Sequence, residues 1–239
     1  MTDIGILMTA PMVKASLDGR KTQTRRLAWK VKGVCPECDG QGLDAIHCQT
    51  CEGAGWIRKP TVWQKAQPGD RLWVREAFVP WDAGVNPNVM TRADMALTDL
   101  KTGYRSLDYK CYGPWSPSTH MPRSLSRLTL VVTEVRRQRL QEISEEDALA
   151  EGIYRQDPSP EEIAAGDCTE DDFVFLAPGT RQGYGPRPDD PQWGPTAAFA
   201  YRCLWDSLHG KGTWDENPEV VALTFTVHLA NIDQLGEAA

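Results

Sequence analysis

Near the C-terminus runs Val221-Ala222-Leu223-Thr224-Phe225-Thr226-Val227-His228-Leu229, in which apolar residues at odd positions alternate with Ala, Thr, Thr and His. Period-2 alternation predicts a half-buried strand over 221–229. A second β-branched run, Leu128-Thr129-Leu130-Val131-Val132-Thr133-Glu134-Val135, predicts a central strand. A third, Arg71-Leu72-Trp73-Val74-Arg75-Glu76-Ala77-Phe78, follows the turn signal Pro68-Gly69-Asp70. Helices are few. Ala10–Leu17 is short and amphipathic, with Pro11 in its first turn and Asp18-Gly19 after it. Ser144-Glu145-Glu146-Asp147 is a capping pattern that opens a helix over 145–151, stopped by Gly152. Thr196–Leu208 reads as a helix offering Phe199, Leu204 and Trp205 to the core. No strand–helix–strand rhythm, dinucleotide fingerprint or phosphate-binding loop occurs, so the expected class is α+β with a small twisted or closed sheet.

The 239 residues are 41% hydrophobic and 25% charged, an ordinary globular balance, and one domain spanning 1–239 is expected. No run approaches the roughly 18 apolar residues of a membrane span. The first twenty residues lack the basic start and apolar block of a secretory signal, so cytoplasmic residence is the expectation. Net charge is −7, unevenly spread. Residues 1–60 carry nine Lys/Arg against six acids, whereas residues 142–172 carry twelve acids against Arg155. An anionic partner would meet local basic patches, with the acidic segment turned elsewhere. Residues 154–195 hold seven prolines and read as a long surface insertion; one further strand is expected near 108–112.

Seven cysteines include the pairs Cys35-Pro36-Glu37-Cys38 and Cys48-Gln49-Thr50-Cys51. Each pair opens a Cys-x-x-Cys-x-Gly-x-Gly unit, ending at Gly42 and Gly55. Two such turns supply four thiolates to a tetrahedron with sulfur about 2.3 Å from the metal, so structural Zn2+ is expected at Cys35, Cys38, Cys48 and Cys51. Residues 33–57 therefore read as a zinc-hairpin insertion. His47 is a neighbour that could replace one thiolate, and a redox dithiol is the remaining alternative. The island resembles the zinc modules of the DnaJ chaperone family over about twenty residues, with two of that family's repeats.

Gly19-Arg20-Lys21-Thr22-Gln23-Thr24-Arg25-Arg26 packs four cations and two threonines into eight residues. If extended, Thr22, Thr24 and Arg26 share one face and Lys21, Gln23 and Arg25 the other; in a turn, Lys21 and Thr24 converge. A lysine beside a threonine hydroxyl can activate it. A solvated basic loop is the plain alternative.

The opening Met8 to Arg26 resembles the ASCH-domain family, more closely its phage and prophage members. Pro68 to Glu76, Trp115 to Arg123, Ser126 to Arg136, Leu140 to Ile153, Leu204 to Gly212 and Trp214 to Pro218 continue the resemblance. The resemblance implies a PUA-like small β-barrel with flanking helices, in a group associated with RNA or modified-nucleotide binding. It also implies a phage- or prophage-encoded protein acting in a bacterial cytoplasm. One branch of the family comprises amidohydrolases acting on N4-acetylcytidine. There the Gly-x-Lys-x-x-Thr-x-Arg pattern, here Gly19 to Arg26, supplies a lysine and a nucleophilic threonine, and a glutamate ends the helix after the central strands. The resemblance thus assigns Lys21, Thr24 and Glu151 as catalytic residues, with Arg25 or Arg26 steadying a phosphate or ribose. The leading expectation is recognition of RNA, single-stranded nucleic acid or a modified nucleoside at the barrel mouth; the rival is hydrolysis of an N-acylated base there.

Further binding candidates come from the residues themselves. Trp115, in a Pro-rich loop leading to His120 and Arg123, suits stacking on an unpaired base whose edge an arginine holds. Trp73 and Arg75 share a strand face, with Glu76 on the other. A buried Glu76 needs a cationic partner, for which Arg25 and Arg123 are the candidates. Packing within the core or the loop is the plainer role for both tryptophans, and a structural hydrogen bond for His120.

Overall fold

A computed structural model describes residues 1–40, 48–80, 89–91, 93, 115–166, 173–178 and 193–236. The expected strand near 108–112, and His47, Cys111 and Cys168, lie outside the described residues. The fold is mixed α+β, mostly sheet. Its centre is a five-stranded sheet in the order β1-β5-β8-β12-β2. These strands are β1 (Asp3–Leu7), β2 (Gln23–Leu27), β5 (Arg71–Arg75), β8 (Thr129–Arg139) and β12 (Glu219–His228). β1 runs parallel to β5, and the other pairings are antiparallel.

The expected closed barrel does not form among the described residues: β1 and β2 are the two sheet edges, and no ladder joins them. A side chain spans the gap instead, for Arg26 Nη2 donates to the Leu7 carbonyl at 2.9 Å. The sheet therefore curls until its edges come within side-chain reach.

Register explains the core. Leu72, Leu130 and Val227 lie opposite one another across three strands, and Leu223 is paired with Val135 and Thr24. Directly opposed residues share a face. One face thus carries Ile6, Leu72, Val74, Leu130, Val132, Leu223 and Phe225, all buried. The expectation of a half-buried final strand needs correction. Val220 and Ala222, on its other face, are buried as well, and Leu229 falls beyond the strand and is exposed. The second face is covered by helix α2 (Glu145–Ala150), to which Gln23, Arg25 and Arg136 reach across.

Helix α1 (Ala10–Leu17) forms where the Pro11 pattern predicts and buries Met12, Val13, Ala15 and Ser16. Ser144 Oγ accepts from Asp147 N at 3.1 Å, capping α2. The last helix, α4 (Ala197–His209), is capped by Thr196 and by the Glu145 carboxylate, which accepts from Ala197 N and Ala198 N. It buries Tyr201, Leu204 and Trp205 but leaves Phe199 exposed, contrary to expectation. Phe199 sits in the first turn, two positions from Tyr201, and so points away from the side that packs.

The Pro-rich 154–195 region carries regular structure. β9 (Tyr154–Gln156), β10 (Val174–Leu176) and β11 (Trp193–Gly194) form a three-stranded sheet, and α3 (Pro160–Ala165) lies between the first two in sequence. The cysteine island sits on a longer ribbon than 33–57: β3 (Trp29–Val34) pairs with β4 (Trp56–Pro60), with Trp29 opposite Pro60 at its base. A last pair, β6 (Phe78–Pro80) and β7 (Val89–Thr91), completes the described strands. No helix among the described residues is long and apolar enough to cross a membrane.

Candidate functional site

The basic segment is extended. Lys21 forms an isolated antiparallel bridge with Glu151, Thr22 N donates to the Ala150 carbonyl at 2.8 Å, and β2 begins two residues later. The two halves of this contact are built separately. β2 is held by β12, and Glu151 is held by the end of α2, where Gly152 turns the chain at φ +99°. A side chain at 152 would meet Ala15 and Pro178 at 3.2 Å and Lys21 Cβ at 3.3 Å, so the close approach itself requires glycine.

Lys21 Nζ donates to Glu151 Oε2 at 2.7 Å, to the Gln23 carbonyl at 2.8 Å and to the Glu151 carbonyl at 2.9 Å. Its three protons match three acceptors. Arg25 reaches Glu151 Oε1 at 3.2 Å, Gln23 Oε1 at 2.7 Å and Asp147 Oδ2 at 2.7 Å. Arg136 donates to Asp147 Oδ1 at 2.7 Å, and the Tyr201 hydroxyl to Glu151 Oε1 at 3.5 Å. Lys21, Arg25 and Glu151 are 2%, 1% and 3% exposed, so this is a buried ion network rather than a solvated acidic face.

Burial disfavours charge, and its effects are visible. It pulls the Lys21 ammonium below the usual lysine range, against the charge and hydrogen bond of Glu151. Burial likewise pushes the Tyr201 phenol well up, with the Glu151 carboxylate adding to it. At Asp147, burial is outweighed by hydrogen bonds from Arg136 and Gln23 and by the nearby arginine charges, and the carboxyl ends below its ordinary value. Two donors stay unmet: Arg25 Nε and Arg136 Nε are buried without a hydrogen-bond partner among the described residues.

Thr24 is 2% exposed and paired with Leu223, on the core-facing side of β2; Gln23 and Arg25 stand on the opposite side. The extended alternative is therefore the one that forms, and it separates Thr24 from the lysine's side of the strand. Arg26 shares the Thr24 side and lies 6.0 Å from the Trp63 ring.

The other expected binding residues gather elsewhere. Leu7, whose carbonyl accepts Arg26, is paired with Arg75, so the end of β5 adjoins Arg26. Arg75 stacks over Trp73 at 5.1 Å and donates to the Thr119 carbonyl beside exposed His120. Glu76 is buried, as the sequence argument required of a residue needing a partner, but that partner is neither Arg25 nor Arg123. Arg127 grips it with two bonds, at 3.1 and 3.2 Å, and also reaches Thr91. Arg127 lies two residues before the central strand, in the segment that runs alongside the end of β5, where Val74 N donates to the Leu128 carbonyl. Arg123 binds Asp3 at 2.7 Å and also Asp233, at the far end of β1 from Leu7. Arg123 therefore does not line a cleft with Lys21. Trp115 is half-buried, in the segment whose Ser116 bridges Phe78.

Four contributors to the network were not foreseen, Gln23, Arg136, Asp147 and Tyr201, of which the last two carried a signal. Their signal was present in spacing. Asp147 lies one turn before Glu151, and Tyr201 one turn before Trp205 on the packed side of α4.

At the cysteine island, the four Sγ atoms all lie within 4.8 Å of one another. Cys35 and Cys48 are 3.6 Å apart, and Cys38 and Cys51 3.5 Å. A tetrahedron with 2.3 Å arms has edges of about 3.8 Å, so the cluster fits a four-thiolate metal ion. The doubled sequence appears as doubled backbone: Asp39-Gly40 and Glu52-Gly53 each place two consecutive residues at φ between 47° and 81°. Cys35 N donates to the Gly55 carbonyl, locking one unit onto the other.

Comparison with family models, with curated proteins and with solved structures returned no match.

Proposed function

We propose that this chain is a PUA-like, ASCH-type recognition domain that binds RNA or a modified nucleoside beside β2, with structural zinc in its cysteine ribbon. The carrying observation is the meeting of Lys21 and Glu151, 130 residues apart in sequence, at 2.7 Å in a buried site. Oppositely charged groups brought together in a buried site at such desolvation cost are functional-site candidates. The chemistry suits a nucleobase edge: the Glu151 carboxylate can accept from an exocyclic amine, while Lys21 and the unmet Arg25 Nε can donate to a ring carbonyl. Because these groups now satisfy one another, a ligand gains only the difference between its own bonds and those it displaces. Calorimetry with cytidine, N4-acetylcytidine and uridine tests the proposal. Binding that Arg25→Lys weakens at least tenfold supports it; no heat with any nucleoside or with a short RNA refutes it.

A second reading, hydrolysis of an N4-acylated cytidine, is favoured by the buried Lys21, its pKa lowered by burial, in contact with Glu151. For Thr24 Oγ to attack the amide carbon and pass its proton to the Lys21–Glu151 pair, the start of β2 must first turn Thr24 from its core-facing side to theirs. The C–N bond would then break, with that proton delivered to the leaving amine, and water would release acetate from the acyl-threonine. Chromatographic detection of cytidine and acetate, lost in Thr24→Ala, would establish it; turnover that survives Thr24→Ala would exclude the threonine as nucleophile.

A further inference from the structure

We propose that Cys48 is an oxidation site, and that hydrogen peroxide reacting there converts the four-thiolate cluster into two disulfides, Cys35–Cys48 and Cys38–Cys51, with release of the metal. The inference rests on the zinc reading of the ribbon and adds a reaction to it. Exposure within the cluster is unequal. Cys35, Cys38 and Cys51 are 0%, 8% and 6% exposed, whereas Cys48 is half-buried and the turn after it, Gln49-Thr50, is exposed. Metal ligands are deprotonated, and the thiolate is the reactive form of cysteine. Oxidation follows thiolate character and exposure together. Of the four thiolates, that of Cys48 is the one a reagent in solution meets. Glu37 Oε2 lies 3.8 Å from its sulfur, and a carboxylate there repels anionic oxidants. The reagent class that remains is a small neutral hydroperoxide, which reaches a half-buried sulfur where bulkier thiol reagents are held off.

The pairing follows from which sulfurs face each other. Cys48 Sγ is 3.6 Å from Cys35 Sγ, and Cys38 Sγ is 3.5 Å from Cys51 Sγ. Both contacts join one Cys-x-x-Cys unit to the other, and together they use each sulfur once. A disulfide is about 2.05 Å long, so each pair closes by about 1.5 Å. In the first step the Cys48 sulfur bonds one peroxide oxygen, the O–O bond breaks and hydroxide leaves, giving a sulfenic acid. The Cys35 thiolate then attacks the Cys48 sulfur and displaces the second hydroxide. Each hydroxide takes a proton and becomes water. One peroxide is thus reduced by two electrons for each S–S bond formed, and a second closes Cys38–Cys51. No thiolate is then left to hold a metal. Because both bridges span the two units, the oxidised ribbon stays joined without it. The sulfur cluster shares no residue with the main core, which keeps its fold.

The full chain, with its zinc first measured by elemental analysis, is treated with hydrogen peroxide while freed metal is followed with a chromogenic chelator. A chain without zinc refutes the zinc reading and this inference with it; a chain that holds zinc and keeps it under peroxide refutes the inference alone. The expected result is one zinc released per two peroxides consumed, unchanged circular dichroism, and recovery of metal binding with dithiothreitol and zinc. Mass spectrometry of peptides cut after Glu37, which separates Cys35 from Cys38, should find Cys35–Cys48 and Cys38–Cys51. Early trapping with dimedone should label Cys48 ahead of the other three. Cys48→His keeps a fourth ligand for zinc and should release it roughly tenfold more slowly. Should that variant not hold zinc, the dimedone label on the wild-type chain decides. Bridges within the units, a first label on a buried cysteine, or equal release from Cys48→His and wild type overturns the inference.

Discussion

Replacing Glu151 by Gln removes the only full negative charge among the described residues that touches both Lys21 and Arg25 and keeps the side-chain shape. Arg25 retains Asp147 at 2.7 Å and Gln23 at 2.7 Å, so its charge stays compensated. Lys21 retains the two backbone carbonyls at 2.8 and 2.9 Å and a neutral amide oxygen in place of the carboxylate, with a guanidinium nearby. Breaking one partner out of a buried pair costs about 3–5 kcal/mol, and the surviving carbonyls place this variant near about 3. For a chain of this size that lowers the melting temperature by roughly 6–12 °C. The pH dependence gives a sharper test. The folded Lys21 pKa already lies below its ordinary 10.5, and Glu151 is what holds it up against burial. Without the carboxylate it falls further. Between that lowered value and 10.5 the unfolded chain binds more protons than the folded one, so stability rises with pH there. The variant enters this window at lower pH than wild type, and its deficit must shrink as pH climbs toward 10. Urea midpoints at pH 7, 8.5 and 9.5 measure this. A variant within about 1 kcal/mol of wild type, or a deficit that widens with pH, refutes the account of the network.

Three further outcomes are expected. Asp147→Asn should lose about 1.5–3 kcal/mol at neutral pH, with the loss fading below about pH 4; the native carboxyl is held low by its arginines, so its contribution disappears as acid protonates it. Urea midpoints at pH 7 and pH 3 compare the two. Gly152→Ala should destabilise by about 1–3 kcal/mol in thermal melts, since φ +99° and contacts of 3.2–3.3 Å both oppose a Cβ. The purified chain should hold one zinc per molecule by elemental analysis and shield Cys35, Cys38, Cys48 and Cys51 from thiol reagents; a strong chelator should expose them, and Cys35→Ser should abolish metal retention.

Elements with a local signal were legible. Alternation at 221–227, the Ser144 cap, the proline at the start of α1 and the doubled cysteine units each announce themselves within ten residues, and each appears in the structure. What depends on long-range register was not. The partner of Glu76 is Arg127 because of how β5 lies on β8, and no spacing rule carries that information. The second buried face of β12 follows from α2 folding back over Arg25 and Arg136. Lys21 and Glu151 were paired through family resemblance, and the contact forms; the side of β2 on which Thr24 stands was left open between two backbone conformations, and extension decided it.

The ribbon has a consequence for how this chain tolerates change. Its sulfur cluster with Ile57 is a core of its own, and none of its residues belongs to the main one. Its stem is tied off below, where the Ala28 carbonyl accepts from Thr61 and Gln64. With Trp29 and Pro60 already side by side, the arm resembles a graft on a closed stump: a chain in which a short turn joins the two positions is expected to fold its main core without it.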